Sequence, residues 1–110
     1  MTKITIHKQN GFITKFECDG HTNFGVAGED VVCAGVSSIT QTAVLGVMMV
    51  AGVRAKLKRD EDRGYLLFEL PNNMTEQESH DAQTILQTML CGLSDLREGF
   101  SDFIELEVKD

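Results

Sequence analysis

Residues 31–53 read VVCAGVSSITQTAVLGVMMVAGV, a run without a single charged side chain. Such a run is long enough to span a bilayer, and where it belongs decides the fold. The mid-segment cluster Ser37, Ser38, Thr40, Gln41 and Thr42, together with Gly35, Gly46 and Gly52, argues against a span. So do the flanking stretches, which read as strands and would lose the one helix able to cover them. The segment is therefore read as a helix buried nearly all round. A sheet lies on one side; in a chain of 110 residues the other side falls to a second helix and a second subunit.

Toward the C-terminus, residues 53–70 form a hairpin. Val53, Ala55 and Leu57 alternate with Arg54, Lys56 and Lys58, and Leu66, Phe68 and Leu70 alternate with Tyr65, Leu67 and Glu69. The turn lies at 60–64. Its basic residues read as a solvated strand edge, where lysines discourage edge pairing, and Asp60, Glu61 and Asp62 neutralise much of that charge. Pro71 ends the hairpin. Thr75 with Glu78 makes a capping box, and Ala82, Ile85, Leu86, Met89, Leu90, Leu93 and Leu96 form the stripe of an amphipathic helix ending near Gly99. Gly92 interrupts that stripe at a cost of about 1 kcal/mol relative to Ala, and marks close packing on the other helix. Ile104, Leu106 and Val108 alternate as a last strand.

Toward the N-terminus, residues 2–18 form another hairpin. Ile4 and Ile6 share one face; Phe12, Phe16 and Cys18 share another at period two; Asn10-Gly11 is the tight turn between them. Cys18 on this phase is an inert core residue. The order is ββαββαβ, without repeats or linkers. It predicts a single α+β domain over 1–110, with a mixed or antiparallel sheet and both helices on one face.

Composition bounds the function. Apolar residues make up 42% and charged residues 25%, ordinary values for a globular chain. Ten Lys+Arg against 17 Asp+Glu give a net charge of -7, which argues against direct nucleic-acid binding and suits a basic protein partner. The start MTKITI lacks a signal-peptide layout. Three widely spaced cysteines (Cys18, Cys33, Cys91) suggest neither a disulfide framework nor zinc-finger spacing. A cytoplasmic setting, no membrane and no cofactor are expected.

The chemistry concentrates in 20–38, GHTNFGVAGEDVVCAGVSS. With Asp30 as helix N-cap, Cys33 is the third helical position, where the dipole and free N–H groups favour a negative charge. That setting suits a thiolate. His21 precedes a glycine-containing loop long enough to return it over Cys33, and could serve as base and later as acid. Ser37, one turn on, shares the face of Cys33 and could donate to its sulfur. The plain alternative is Cys33 as a small core residue and His21 on the surface. His7 and His80 read as solvent-facing. Metal binding by His21, Asp30 and Cys33 is set aside, because a glycine-rich loop preorganises little.

The run Gly20-His21, Gly28-x-Asp30-x-Val32-Cys33-Ala34 and Val36-Ser37 resembles the ribosomal-processing cysteine protease family, Prp, and the likeness extends over nearly the whole chain. Thr22 departs from it, standing where the family is expected to have a small residue, usually Ala. The resemblance implies a bacterial cytoplasmic cysteine endopeptidase. It would remove the N-terminal extension of a large-subunit ribosomal protein, after an aromatic pair, during ribosome assembly. It also implies Cys33 as nucleophile, His21 as general base and acid, Gly20 as hinge of the covering loop, and Asp30 and Ser37 as supporting residues. A homodimer is implied too, and agrees with the apolar first helix. No third triad member is assigned: Asp30 is a candidate, Asp19 and Asn23 weaker ones. The oxyanion hole is expected from the Cys33 N–H and a neighbouring N–H. The alternative from a different class is a non-catalytic ribosome-assembly factor that binds a basic ribosomal protein.

Overall fold

The structure is a computed structural model and describes residues 1–20 and 29–110, with the backbone alone for Glu29 and Asp30. Five strands, β1 (Thr2–Gln9), β2 (Phe12–Asp19), β3 (Lys56–Asp60), β4 (Tyr65–Glu69) and β5 (Ile104–Lys109), form one sheet in the order β3-β4-β2-β1-β5. All neighbours are antiparallel except β1 and β5, which run parallel. Helix α1 (Glu29–Leu45) continues into a π-helical tail, Gly46–Val50, and α2 (Glu76–Gly99) follows β4. The ββαββαβ order and the mixed sheet with both helices on one face are as the patterning predicts.

Register explains which side chains meet the helices. Ile6 lies opposite Phe16 and Phe16 opposite Phe68; Ile4 lies opposite Cys18 and Cys18 opposite Leu66. These two rows are buried, and the Phe16 and Phe68 rings sit 5.5 Å apart. The odd-numbered residues beside them, such as Lys3, Lys15 and Glu17, fall on the opposite face. Asn10 and Gly11 take positive φ, 54° and 83°, as the hairpin turn requires.

One part of the period-two reading fails. A bulge lies between His7 and Lys8, where the register passes from His7↔Lys15 to Lys8↔Ile13 and Thr14 is the extra residue. The phase flips there, so Ile13 is buried and Phe12 is 55% exposed, off the face of Phe16 and Cys18. Thr14 is put to use: its carbonyl accepts from Leu70 N–H at 2.9 Å. Ile13 is satisfied from α2 instead, with Gln83 accepting from its N–H at 2.8 Å and donating to its C=O at 2.7 Å. The buried Gln83 amide thus stands in for a strand partner.

The capping box forms as read, with Glu78 N–H donating to Thr75 and Thr75 N–H to the Glu78 carboxylate. The two helices interlock small against large. A Cβ built at Gly35 would lie 3.4 Å from Leu96, one at Gly92 3.6 Å from Ile39, and one at Gly46 3.4 Å from Ile85. The paired numbers descend on one helix as they rise on the other, so the helices are antiparallel. Gly92 does face α1, as expected.

The helix α1 is not buried all round within one chain. Val32, Val36, Ala43, Val44 and Val47 are in the core, whereas Val31, Leu45, Met49 and Val50 are each more than half exposed. Two helices side by side on a sheet cover two flanks of each other and leave the outer flank open. The stretch Val31–Val50 is long and apolar enough to cross a membrane by length and composition. Its inner face, however, is the roof of the sheet's single core.

Replacing Gln83 by Leu keeps the volume but strands two buried backbone groups, each worth about 1–3 kcal/mol. The expected outcome in urea denaturation is a loss of about 2–4 kcal/mol at unchanged slope. A loss well under 1 kcal/mol would show that the Ile13 clamp is dispensable.

Candidate active site

A cleft of about 200 Å³ opens between α1, the ends of β1 and β2, and the β3–β4 turn. Helix α1 supplies Cys33, Val36, Ser37, Thr40 and Gln41; Thr2, Cys18 and Gly20 come from the first hairpin; Arg59 to Glu61 and Gly64 to Leu66 form the far wall. Cys33 is half-buried here. Its Sγ lies 3.3 Å from the Thr2 hydroxyl.

The helix starts earlier than expected. Among the described residues it runs from Glu29, so Asp30 lies within the helix and is not the N-cap. Two acidic residues are as favourable inside the first turn as at the cap, which removes any need to stop the helix at Asp30. The Cys33 N–H therefore has the Glu29 carbonyl, four residues back, as its helical partner and is not one of the free donors at the helix start. Helical side chains lean toward the N-terminus, so the Cys33 sulfur still overhangs the first turn.

The structure brings Gly20, Cys33 and Ser37 to one cleft. Ser37 is exposed there, but the hydrogen-bond partner that Sγ finds is Thr2. His21, Thr22, Asn23, Gly25 and Gly28 lie outside the described residues, as does the Asp30 side chain. Gly20 has φ +93°, and a Cβ built on it would stand 3.0 Å from the Met1 carbonyl oxygen. Its N–H donates to Gly64 O at 3.2 Å. This position demands glycine, both for its backbone conformation and for the space.

Asp19 is engaged elsewhere: Arg63 Nη2 donates to its carboxylate at 2.9 Å, and the same guanidinium stacks 4.5 Å over the Tyr65 ring. Tyr65 donates to Glu17 at 3.1 Å, and Glu17 also meets His7 Nε2 at 3.1 Å. Lost hydration, then the bond to Glu17, push the Tyr65 phenol up, so at neutral pH it is a donor and not a base. His7 is thus half-buried in a polar chain, and His80 is exposed beside Asp81. Among the described residues no three His, Cys, Asp or Glu side chains gather as a metal site.

Two features of this site were missed. Thr2 shares the phase of Ile4 and Ile6, which already turns it to the core face; what the pattern lacks is which helix lies above it. Arg59 likewise shares the phase of Leu57 and pairs with Leu66, so it projects toward the cleft and not along the solvated edge.

Residues 1–105 match the family model described as cysteine protease Prp. The ribosomal processing cysteine protease Prp of Bacillus subtilis (strain 168) is 36% identical over 90 residues, 82% of this chain and 80% of that protein. Its counterpart in Staphylococcus aureus (strain Mu50 / ATCC 700699) is 32% identical over 106 residues, 96% of this chain and 95% of that one. Among solved structures, the essential ribosomal processing protease Prp from S. aureus in complex with a substrate peptide superposes with TM-score 0.88 at 28% identity. That match covers 99% of this chain and 100% of that one. The same protease with a covalently linked product peptide gives 0.84 at 29% identity, with the same coverage.

The cleft holds two thiols of opposite character. Burial pushes Cys18 up to about 12, against a smaller opposing hydrogen bond from Thr40. At pH 8 only roughly one Cys18 in 10⁴ is then ionised, so iodoacetamide on the folded chain should modify Cys33 and Cys91 and spare Cys18 until urea is added. Labelling of Cys18 at the rate of Cys91 would contradict its burial. Gly20→Ala should lower stability by about 1–3 kcal/mol through left-handed strain and the Met1 contact, read as a fall in Tm; an unchanged Tm would show that the backbone there relaxes freely.

Proposed function

The chain belongs to the cysteine protease Prp family, and from that membership we propose that it removes the N-terminal extension of a large-subunit ribosomal protein during bacterial ribosome assembly. The observation that carries this reading is Cys33: a half-buried sulfur near the start of α1, facing a cleft, with a hydroxyl 3.3 Å away. A thiolate there has a donor on one side and room for a peptide on the other.

In the proposed reaction His21 takes the Cys33 proton and the thiolate attacks the scissile carbonyl carbon. The carbonyl π pair moves to oxygen, where N–H groups of the first helical turn are the candidate donors. Collapse of this intermediate breaks the C–N bond, and His21 returns the proton to the leaving amine. Water then attacks the thioester by the same exchange of protons and frees Cys33. Gly20 is the proposed hinge of the segment that carries His21. Asp30 and Ser37 are proposed supporting residues, Asp30 to orient the imidazole and Ser37 to bind the peptide at the mouth of the cleft.

The net charge of -7 favours encounter with a basic ribosomal protein. The exposed apolar residues Leu45, Met49 and Val50, at the end of α1 and in its π-helical tail, support a homodimer that covers them. A cytoplasmic location follows from the proposed substrate. No direct contact with nucleic acid or membrane is invoked.

The test is cleavage of the extended ribosomal precursor by the parent protein, Cys33→Ala and His21→Ala. Each variant is expected to lose about 10³-fold or more in kcat/KM, with the fold retained by circular dichroism. Full cleavage by either variant overturns the assignment. Binding of the precursor by the parent chain without any product would favour the non-catalytic assembly factor instead.

A further inference from the structure

Thr2 enters the sheet at the start of β1 and is 5% exposed. Its main-chain N–H donates to Phe103 O at 2.9 Å, and its Cα is paired with Ile104 of β5. The side chain has the phase of Ile4 and Ile6, so it is turned toward the helices, where Oγ1 meets Cys33 Sγ at 3.3 Å. A β-branched residue fixed in a strand has few rotamers, so the hydroxyl is held in place by the backbone that carries it.

The geometry points to Thr2 as a thiolate-stabilising residue: its O–H donates to the Cys33 sulfur and favours the anionic form. This rests on the reading of Cys33 as nucleophile. A thiol is a weak donor and a weak acceptor, whereas a thiolate is a strong acceptor with no proton to give. The contact is therefore stronger in the anionic state, and in that state only Thr2 can be the donor. When the thiol proton passes to the base, the pair becomes Sγ⁻···H–Oγ1. On attack the sulfur electron pair forms the C–S bond and the charge moves to the carbonyl oxygen. The Thr2 proton stays on Thr2 throughout, and its bond to sulfur weakens as the charge departs.

Thr2 consequently acts on the resting nucleophile more than on the transition state. It raises the share of sulfur that is ionised and lowers the intrinsic reactivity of each thiolate, because nucleophilicity falls with basicity. It sets the pH range of the reaction and not its ceiling. That signature separates it from a residue that merely packs.

The experiment follows alkylation of Cys33 by iodoacetamide in the full chain, from about pH 5 to about pH 10, with peptide-level mass spectrometry to isolate the Cys33 signal. Thr2→Val keeps the shape without the hydroxyl, Thr2→Ala is a second hydroxyl-free variant should valine impair folding, and Thr2→Ser keeps the donor. The hydroxyl-free variants should react about tenfold more slowly at pH 7, a loss matching one charge-assisted hydrogen bond. Their profiles should move toward alkali and equal or exceed the parent rate on the alkaline plateau, and serine should restore the parent profile. Superposable profiles overturn the proposal. So does a rate lowered at every pH, plateau included, or a serine variant that behaves like valine. The readout needs no peptide substrate, so the two readings fail separately: cleavage that survives Cys33→Ala removes the nucleophile assignment, whereas lost cleavage with an unmoved Thr2→Val profile removes only this one.

Discussion

The interlock of α1 with α2 is the constraint on which the site depends. Gly35 against Leu96, Ile39 against Gly92 and Gly46 against Ile85 place a small residue opposite a large one at three levels. Larger residues at the glycines would push the helices apart, and α1 would slide across the sheet. Because α1 and its π-helical tail also bury Val32, Val36, Ala43, Val44 and Val47 in the core, its axial position is specified from two directions. That double specification is what holds the Cys33 sulfur over the end of β1, within reach of Thr2. A hydrogen bond of 3.3 Å across strand and helix tolerates little drift in either.

Buried polar groups mark the places where the packing had to be exact in its chemistry as well as its volume. Gln83 closes both backbone valences of Ile13 beside the bulge. Thr40 returns its hydroxyl to the Val36 carbonyl at 2.9 Å, within its own helix. Thr2 instead meets a sulfur, that of Cys33. The first two bonds remove penalties that burial would otherwise impose, and both partners are main-chain groups whose charge state never changes. The third partner can ionise, so the same kind of contact acquires a dependence on pH.

The fold was legible wherever a local signal had one meaning. Asn10-Gly11, the Thr75/Glu78 box and the α2 stripe each specify their geometry through neighbours a few residues away, and each element forms as read. Phe12 was misplaced because a bulge at Thr14 is decided by the partner strand and by Gln83, seventy positions from Ile13. The helix reaches at least two residues further toward the N-terminus than the Asp30 cap implies, since Asp30 is as acceptable in the first turn as at the cap. The outer flank of α1 is open within one chain, and an uncharged run does not say which chain covers it. For the site, Cys33, Gly20 and Ser37 were singled out and do line one cleft. Thr2 and Arg59 were passed over because strand phase reports the face a side chain takes, not what lies above it.

The two thiols of the cleft show how far position alone decides chemistry. Cys18 projects from the middle row of the sheet, between Ile4 and Leu66, and burial pushes it up to about 12 despite a hydrogen bond from Thr40. A hydroxyl neighbour is therefore not sufficient to make a thiolate. Desolvation wins there because apolar side chains flank the sulfur across the sheet and leave little water to solvate a charge formed on it. Cys33 has a comparable hydroxyl neighbour, but it stands on a helix at the rim, half-open to the cleft, above a turn whose N–H groups carry the positive end of the helix dipole. The two sulfurs thus differ in solvent access and helix polarity first, and in the hydroxyl each meets only second. On this ordering a hydroxyl can only tune a sulfur whose position already favours charge, which is the part proposed for Thr2.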